Sequence, residues 1–368
     1  MTATATCVAT PVHQLEVAAF TIPTDAPEAD GTLAWDATTI VVVHAHAGDE
    51  SGLGYTYADV STAKLIESKL AGVVCGRDAM APQAAWDEMV AQTRNLGRPG
   101  ITSMAIAAVD VALWDVKARL LGLPLCVLLG MAHDCVPVYG SGGFTTYSLA
   151  RLQDQLAGWV HDGIPRVKMK VGSAPDEDPE RVRCARNAIG PNAQLFVDAN
   201  GAYSRKQALE LAQRFRDESE VSWLEEPVTS DDLQGLALLR DRAPAGMPVA
   251  AGEYGYDIPY FQRMIGSVDV LQADVTRCGG ITELLRIGAL CRAHAMPLSL
   301  HCGPAIHLHP ALALQPLLHL EYFHDHVRIE QLLFDGVVSP SEGALVPDLE
   351  RPGIGLELKR ADAESYAA

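Results

Sequence analysis

Residues 166–227, RVKMKVGSAPDEDPERVRCARNAIGPNAQLFVDANGAYSRKQALELAQRFRDESEVSWLEEP, decide the fold of this chain. Three short runs rich in Val and Leu alternate there with two amphipathic stretches, PERVRCARNAI and SRKQALELAQRF. Short apolar runs bounded by turn residues predict strands, whereas apolar residues that recur every three to four positions predict helices. Strands that alternate with helices over short connections predict a parallel sheet covered by helices.

The same rhythm continues on both sides of this stretch. The run VPVYGSGG precedes it, and PVAAGEY, VDVLQADVT, PLSLHCG and HLEYF follow it, so the sequence predicts eight strands. Eight strand–helix units of about 25 residues close most naturally into a (β/α)8 barrel. We expect this barrel over residues 131–338. An open doubly wound sheet is the alternative, but no G-x-G-x-x-G follows the first strand.

The flanking segments predict a second, smaller unit. In residues 1–130 the runs VHQLEVAAFTIP and TTIVVVHAHAG predict an antiparallel pair of strands, and helical periodicity follows. The segment 339–368, which is rich in Gly and Pro, is expected to fold back onto this unit. The predicted fold class is therefore α/β, a (β/α)8-type barrel with an N-terminal α+β capping domain that the C-terminal segment completes.

The composition excludes several classes of function. The 368 residues carry a formal net charge of −18, which disfavours binding to nucleic-acid phosphates. No apolar run approaches the roughly 18 to 20 residues of a membrane span, and the N-terminus lacks the pattern of a signal peptide. The eight cysteines form no C-x-x-C pair and are expected to be reduced. We therefore expect a cytoplasmic protein without nucleic-acid or membrane partners.

Ionisable residues follow the predicted strands with the period of one strand–helix unit. From the second strand to the eighth they recur every 20 to 28 residues, which places each at the carboxyl end of its strand, where barrel active sites lie. They are Lys168 and Lys170, Asp198, Glu225, Glu253, Asp274, His301 and Glu321. Because unpaired buried charges are costly, seven consecutive strands that end in this way indicate an active site.

Three carboxylates from consecutive strands predict a metal site. Asp198, Glu225 and Glu253 should lie side by side, and like charges at short distance require a cation or protonation. Oxygen ligands without Cys or His partners favour Mg²⁺. Glu226 follows Glu225 by one position, so we expect it to point to the other face of the strand as a supporting charge.

Two proton-transfer groups are expected on opposite sides of this metal. Lys168 and Lys170 lie two apart on one strand and face the same way. Crowding near a divalent cation should lower their pKa, which makes a lysine usable as a general base. Across the barrel, Asp274 should fix the tautomer of His301. Such a site suits removal of the weakly acidic proton next to a carboxylate.

The motifs around these residues resemble the mandelate racemase subgroup of the enolase superfamily over essentially the whole chain. They are KMK at 168–170, VDAN at 197–200, WLEEP at 223–227, GE at 252–253, LQADVTRCGG around Asp274, His301 and Glu321. The resemblance implies that Lys170 is the base on one face of the substrate and that His301, oriented by Asp274, is the acid or base on the other. It also implies a Mg²⁺ ion held by the three carboxylates.

The resemblance implies further substrate contacts. Lys168 would neutralise the substrate carboxylate, and Glu321 would donate a hydrogen bond to it while protonated. Ser141 and Asn200 match positions that contact substrate in the family.

The resemblance also places specificity loops over the barrel, at about residues 21–37 and 48–59, with Tyr55 and Tyr57 as candidate contacts. These loops contain few bulky apolar residues and many acidic ones, which favours a polar substrate. Among these acidic residues are Asp25, Glu28, Asp30, Asp49 and Glu50.

The leading functional hypothesis is a Mg²⁺-dependent hydro-lyase that dehydrates an aldonate or aldarate to a 2-keto-3-deoxy acid. A racemase or epimerase of a 2-hydroxy acid is the second, because it needs the same two-base site. A non-catalytic metal-binding barrel is the alternative of another class, and a Schiff-base aldolase would leave the three carboxylates unexplained. We expect a small-molecule carboxylate as partner and a homo-oligomer.

Other reactive side chains are weaker indications of a functional site. Cys302 follows His301 and is expected to face away from the site as a packing residue. Several histidine groups invite a zinc site but lack the spacing of a complete ligand set. These groups are His44 with His46, His307 with His309, and His319 with His324 and His326.

Overall fold

The computed structural model describes residues 9–368, so Cys7 lies outside the described part. The N-terminal unit is an antiparallel sheet with helices packed on one face. Its strands are β1 (Val12–Ala29), β2 (Ala34–Ala47) and β3 (Glu50–Tyr57). Its helices are α1 (Ser61–Leu65), which continues through a π-helical turn (Ile66–Leu70) into α2 (Ala71–Val74), then α3 (Pro82–Thr93), a 3-10 turn (Arg94–Leu96), α4 (Ile101–Leu120) and α5 (Leu125–Leu129).

Eight parallel strands close into a barrel. They are β4 (Val136–Gly142), β5 (Arg166–Lys170), β6 (Gln194–Asp198), β7 (Val221–Glu225), β8 (Val249–Ala251), β9 (Val270–Ala273), β10 (Leu298–Leu300) and β11 (Leu317–Phe323). The barrel closes where β11 pairs with β4 and Leu320 lies opposite Val138. The predicted (β/α)8 barrel is confirmed, and the open sheet is excluded.

Helices follow the barrel strands, as the alternation in the sequence predicts. They are α6 (Leu149–His161), α7 (Asp178–Ile189), α8 (Arg205–Ser219), α9 (Leu233–Arg242), α10 (Ile258–Met264), α11 (Ile281–Ala293), α12 (Pro304–Ala311) and α13 (His324–Leu333). Inside the barrel, Phe196, Trp223 and His319 pack ring against ring. Each lies two positions before an ionisable residue of its strand, so this aromatic layer forms the floor under the charged groups.

A close glycine contact packs the N-terminal unit together, and a buried carboxylate joins this unit to the barrel. A Cβ atom on Gly54 of β3 would lie 2.2 Å from the carbonyl oxygen of Ala108, so only glycine allows α4 to approach this closely. Asp110 of α4 accepts hydrogen bonds from the amide (2.9 Å) and hydroxyl (2.7 Å) of Thr282 at the start of α11. The two hydrogen bonds between Asp110 and Thr282 fix the cap relative to the barrel.

The C-terminal segment contacts both units. It contains β12 (Phe334–Asp335), β13 (Ala344–Leu345), β14 (Glu357–Leu358), α14 (Arg360–Ala363) and a 3-10 turn (Glu364–Tyr366). Leu345 pairs with Val136 of β4, and Ala367 pairs with Phe20 of β1. The boundaries 1–130, 131–338 and 339–368 stay a prediction about independent domains.

Two expectations for the N-terminal unit were wrong. Most of the predicted loops at 21–37 and 48–59 is strand, because β1 runs to Ala29 and β3 begins at Glu50. Their Gly, Pro and Asp content suggested loops, but the two strands form long edges of one sheet.

No helix within residues 9–368 has both the length and the apolar character to cross a bilayer. The seven cysteines in this part of the chain are all free.

Candidate active site

The ionisable side chains gather at the carboxyl ends of the barrel strands and are all buried, with none more than 5% exposed. Lys168 and Lys170 lie in β5, Asp198 and Glu225 end β6 and β7, Glu253 lies two residues after β8, Asp274 and His301 lie one residue after β9 and β10, and Glu321 lies within β11. The structure therefore brings together every ionisable residue that the strand spacing singled out.

Three carboxylates converge in this group. One oxygen from each of Asp198, Glu225 and Glu253 lies within 4.8 Å of the others. The Lys168 ammonium bonds to Glu225 and lies 3.3 Å from Asp198 Oδ2, and Lys170 Nζ lies 2.6 Å from the same Asp198 oxygen. The two lysines thus offset part of the negative charge from one side of the cluster.

Several buried oxygens around this cluster have no hydrogen-bond partner among residues 9–368. They are Glu253 Oε2, Glu226 Oε1 and Asn200 Oδ1. Buried polar atoms are nearly always paired, so unpaired carboxylate and amide oxygens in one place point to a ligand that takes oxygen donors. A hard divalent cation such as Mg²⁺ fits this donor set, because the cluster contains oxygen atoms and neither imidazole nor thiolate.

The charges of the cluster shift the pKa values of its members in different directions. Burial alone would raise the pKa of Asp198, but Lys170 and Lys168 outweigh it and hold that pKa at about 2. Burial raises the pKa of Glu225 to about 8, with Lys168 opposing the rise and Asp198 adding to it. Such separation of pKa values among neighbouring acids is typical of functional sites.

Both lysines have a pKa above the ordinary value, because buried carboxylates face them. Burial lowers the pKa of Lys170, but the ion pair with Asp198 outweighs burial, and the pKa lies above its ordinary value. Lys168 behaves in the same way because Glu225 and Glu321 face it. The expected lowering assumed a divalent cation that shares these carboxylates, so it stays a prediction.

His301 lies on the other flank of the carboxylates. Its Nδ1 is 2.8 Å from Asp274 Oδ2, and its Nε2 is 3.3 Å from Glu253 Oε2. The other oxygen of Asp274 accepts from the amide and hydroxyl of Thr276, each at 2.7 Å, so this carboxylate is fixed. Burial lowers the pKa of His301, but Glu253, Glu321 and Asp274 together raise it above its ordinary value. Asp274 thus orients the ring with Nε2 toward the carboxylates.

Glu321 connects the first and second barrel strands to His301. The Ser141 hydroxyl donates to Glu321 Oε1 at 2.5 Å, and Lys168 Nζ lies 2.8 Å from the same atom. Glu321 Oε2 lies 3.7 Å from His301 Nε2. Burial alone would raise the pKa of Glu321, but Lys168 and His301 hold it well below its usual range. The protonated form that the resemblance implies concerns the complex with substrate and stays a prediction.

Three residues beyond the strand ends have left-handed backbones and do not follow strand alternation. They are Asn200 (φ 46°), Glu226 (φ 36°) and Cys302 (φ 52°). Glu226 was expected to point away, yet its pKa is raised by burial and then by the charges of Glu253 and Asp198, which lie in the carboxylate cluster. Cys302 was also expected to point away, yet its Sγ lies 3.2 Å from His301 Nε2. Both expectations were wrong, because the chain leaves the strand conformation before these residues.

The cap closes this group into a cavity of about 430 Å³. Lys170, Asn200 and His301 line its barrel side, and Trp35 and Tyr57 line its cap side. The structure therefore brings Asn200 and Tyr57 to the cavity, as the sequence suggested.

Tyr55 does not reach this cavity. It is fully buried beneath it, where its hydroxyl donates to Glu330 Oε1 at 2.6 Å. Its assignment as a substrate contact was wrong. Tyr55 lies on the same face of β3 as Tyr57, but two residues earlier in the strand, where it packs against Phe334 at a ring distance of 4.9 Å. Ser141 also does not line the cavity and instead contacts Glu321.

The expected polar character of the cap loops is only partly present. Of the acidic residues in these two segments, only Asp30 and Asp59 line the cavity. Leu33, Trp35 and the barrel residue Phe323 add apolar surface. The loop composition was therefore a poor guide to the cavity, because most of its acids lie elsewhere on the sheet.

The remaining histidines have structural partners. His309 Nδ1 accepts from the Cys126 amide (3.3 Å), His307 Nε2 accepts from the Val275 amide (2.8 Å), and His319 Nδ1 lies 2.9 Å from the Ser299 hydroxyl. Within the described residues, neither the 44/46 pair nor the 307/309 pair belongs to a group of three close ligand atoms. His326 lines the cavity, but its sequence context suggested only a zinc ligand and no contact with substrate.

Comparison with protein families gives two matches that together span most of the chain. Residues 19–130 match the family described as mandelate racemase / muconate lactonizing enzyme, N-terminal domain. Residues 151–363 match the family described as enolase C-terminal domain-like.

Individual proteins are similar over nearly their full length. Arabinonate dehydratase of Saccharolobus solfataricus is 30% identical over 340 residues, which are 90% of this chain and 90% of that protein. The crystal structure of a mandelate racemase/muconate lactonizing enzyme-like protein from Rubrobacter xylanophilus is 61% identical, with a TM-score of 0.96 over 97% of this chain and 100% of the other. L-talarate/galactarate dehydratase from Salmonella typhimurium LT2, liganded with Mg and L-lyxarohydroxamate, is 26% identical, with a TM-score of 0.89 over 100% of this chain and 95% of the other.

Proposed function

This chain belongs to the mandelate racemase subgroup of the enolase superfamily, and we propose that it is a Mg²⁺-dependent hydro-lyase acting on an acid sugar. One geometric observation carries the proposal. Lys170 contacts Asp198 at 2.6 Å and His301 Nε2 contacts Glu253 at 3.3 Å, so an amine and an imidazole flank the carboxylate cluster from opposite sides. A substrate held at the cluster would meet one group on each face.

Asp198, Glu225 and Glu253 are the residues that would hold the ion. Mg²⁺ bound there supplies positive charge to the substrate carboxylate, which makes the adjacent C–H more acidic. Lys168, whose ammonium already contacts Glu225 and Glu321, is placed to neutralise the same substrate carboxylate. The similar dehydratase that was crystallised with Mg supports this choice of ion.

The proton transfers follow from the positions of the two flanking groups. Lys170 Nζ removes the proton α to the carboxylate, which requires its neutral form, and any cation that shares Asp198 favours that form. His301 Nε2 donates its proton to the departing 3-hydroxyl, and Asp274 stabilises the imidazolium before transfer. Loss of water leaves an enol that tautomerises to a 2-keto-3-deoxy acid.

Racemisation or epimerisation of a 2-hydroxy acid is the second candidate. The same two groups would then exchange a proton on opposite faces of one carbon, without loss of hydroxide. Leu33, Trp35 and Phe323 at the cavity favour it, because they offer apolar surface to a less hydroxylated substrate. The dehydratases among the similar proteins favour the first candidate.

One incubation distinguishes these reactions. The protein is mixed with a panel of aldonates, aldarates and 2-hydroxy acids in D₂O with Mg²⁺, and a Lys170→Met variant serves as the control. A carbonyl-reactive keto acid supports dehydration, whereas deuterium at C2 without loss of water supports racemisation. Binding of Mg²⁺ without exchange in any acid would support the non-catalytic barrel and contradict both enzymes. Light scattering of the same sample tests the predicted homo-oligomer.

A further inference from the structure

His326 lies at the cavity without a role in the chemistry described so far. It is the third residue of α13, it lines the cavity, and it is 8% exposed. Its ring stacks on Tyr57 of the cap at a centroid distance of 3.4 Å and an interplanar angle of 8°. Phe323 contacts it edge-on at 5.1 Å. The ring is therefore held between cap and barrel in one orientation.

A backbone contact decides which nitrogen of His326 carries the proton. The amide of Gly303 donates to His326 Nδ1 at 3.2 Å, so Nδ1 is an acceptor and holds no proton. The neutral ring must then carry its proton on Nε2. Burial lowers the pKa of His326 to about 3, with Asp274 opposing this and His301 adding to it, so the ring stays neutral. No described residue accepts from Nε2, although the ring borders the cavity.

We propose that His326 is a substrate-binding residue whose Nε2–H donates to a hydroxyl group of the acid sugar on the His301 side of the cavity. The inference rests on the proposed function. A hydroxyl fits better than a second carboxylate, because Asp274 and Glu321 already place negative charge near this ring. A neutral donor held by packing distinguishes the two configurations of a hydroxyl, since only one brings the oxygen within hydrogen-bond distance.

His309 supplies a matched control. It is also buried and neutral, and its Nδ1 also accepts a backbone hydrogen bond, from Cys126 at 3.3 Å. It lies on α12 outside the cavity lining. His326→Phe keeps an aromatic ring for Tyr57 to stack on but removes the donor, and His326→Gln restores an amide donor. His309→Phe removes the same kind of backbone acceptor without altering the cavity.

The test measures binding, which does not depend on turnover. Calorimetry with Mg²⁺ present gives the Kd of five- and six-carbon aldonates and aldarates and of their monodeoxy analogues. For one hydroxyl position, His326→Phe should weaken binding of the parent acid about tenfold to hundredfold and leave the matching deoxy analogue unchanged. His326→Gln should recover part of the loss, and His309→Phe should lower stability without changing this ratio.

Two results would overturn the inference: equal effects of His326→Phe on parent and deoxy acids, or no effect on any acid that the wild-type protein binds. Absence of binding to every acid would overturn it as well. The proposed function fails independently of this inference if acids bind with this pattern but none is dehydrated and none exchanges its α-proton.

Discussion

Replacing Asp274 with Asn should disable one half of the site while leaving the fold intact. The Asp274 oxygen that accepts from Thr276 has a counterpart in Asn, so the turn after β9 keeps both of its 2.7 Å hydrogen bonds. The other oxygen, 2.8 Å from His301 Nδ1, becomes an amide donor. His301 must then accept a hydrogen bond at Nδ1, which forces its proton onto Nε2. The substitution also removes the negative charge that stabilises an imidazolium.

The expected loss of turnover follows from the role of Asp274 as the partner of His301. In a triad where a carboxylate orients a histidine, the same change lowers kcat about 10⁴-fold. Here the loss arises because the neutral ring is a weaker acid at Nε2 than the imidazolium that Asp274 stabilises. We expect a loss of about 10³- to 10⁴-fold here. Asp274 is also one cause of the raised pKa of His301. Its loss lowers that pKa, so the high-pH limb of the rate profile, where the acid deprotonates, moves to lower pH in the variant.

The assay combines rate profiles with exchange in D₂O. Lys170 is independent of Asp274, so the variant should still exchange the α-proton of substrates that present it to Lys170. Asp269→Asn is the matched control, because Asp269 also accepts a backbone hydrogen bond, from Val249 at 2.9 Å, but precedes β9 at the far end of the barrel. Asp274→Asn activity within tenfold of wild type, with an unmoved high-pH limb, would refute the pairing.

Three further predictions concern the base, the cap and a buried acid. Lys170→Met should lower turnover more than about 10³-fold without changing the thermal midpoint by more than a few degrees, and residual activity near wild type would remove the assignment of the base. Gly54→Ala should destabilise the protein in urea by about 1 to 3 kcal/mol, because its Cβ would meet Ala108 at 2.2 Å, whereas Gly72→Ala, with open space, should be neutral or stabilising. Burial raises the pKa of Glu28 to about 8, so the neutral form is present at low pH and stability is lost as the pH rises through that value. The free energy of unfolding of Glu28→Gln should therefore equal that of wild type near pH 5 and exceed it at pH 9. Stability curves that run parallel over this pH range would contradict the prediction.

Much of the fold and site was accessible from the sequence, because both depend on a regular period. Strand–helix alternation set the barrel, and the interval of one unit carried each charged residue to the same end. Asp198 and Glu225 are the last residues of their strands, where this logic is most reliable. Glu253 and His301 lie beyond their strands by two residues and one, and still reach the cluster.

The errors begin where the strand conformation ends. Glu226 and Cys302 were assigned by in–out alternation, which holds only for extended backbone, and both have left-handed backbones. Tyr55 was assigned by its position in an apparent loop that is in fact a strand. His326 was missed because its significance depends on contacts with Tyr57 and Gly303, which are distant in sequence and meet only in the folded protein.

The ionisation states were the least accessible feature. The sequence shows that Lys170 lies near acids but not how many face it, and the sign of its pKa shift depends on that balance. The ion pair with Asp198 raises the pKa, although burial alone would lower it.

A diffraction experiment on crystals soaked in Mn²⁺, an anomalous scatterer that substitutes for Mg²⁺, tests the central claim most directly. The account predicts one anomalous peak coordinated by an oxygen from each of Asp198, Glu225 and Glu253, with Lys170 Nζ no longer the principal partner of Asp198. A peak confined to another group of close ligand atoms among the described residues, Asp25 and Glu28 of the cap with His324 of α13, would contradict it. So would a saturating soak that leaves the three barrel carboxylates without metal.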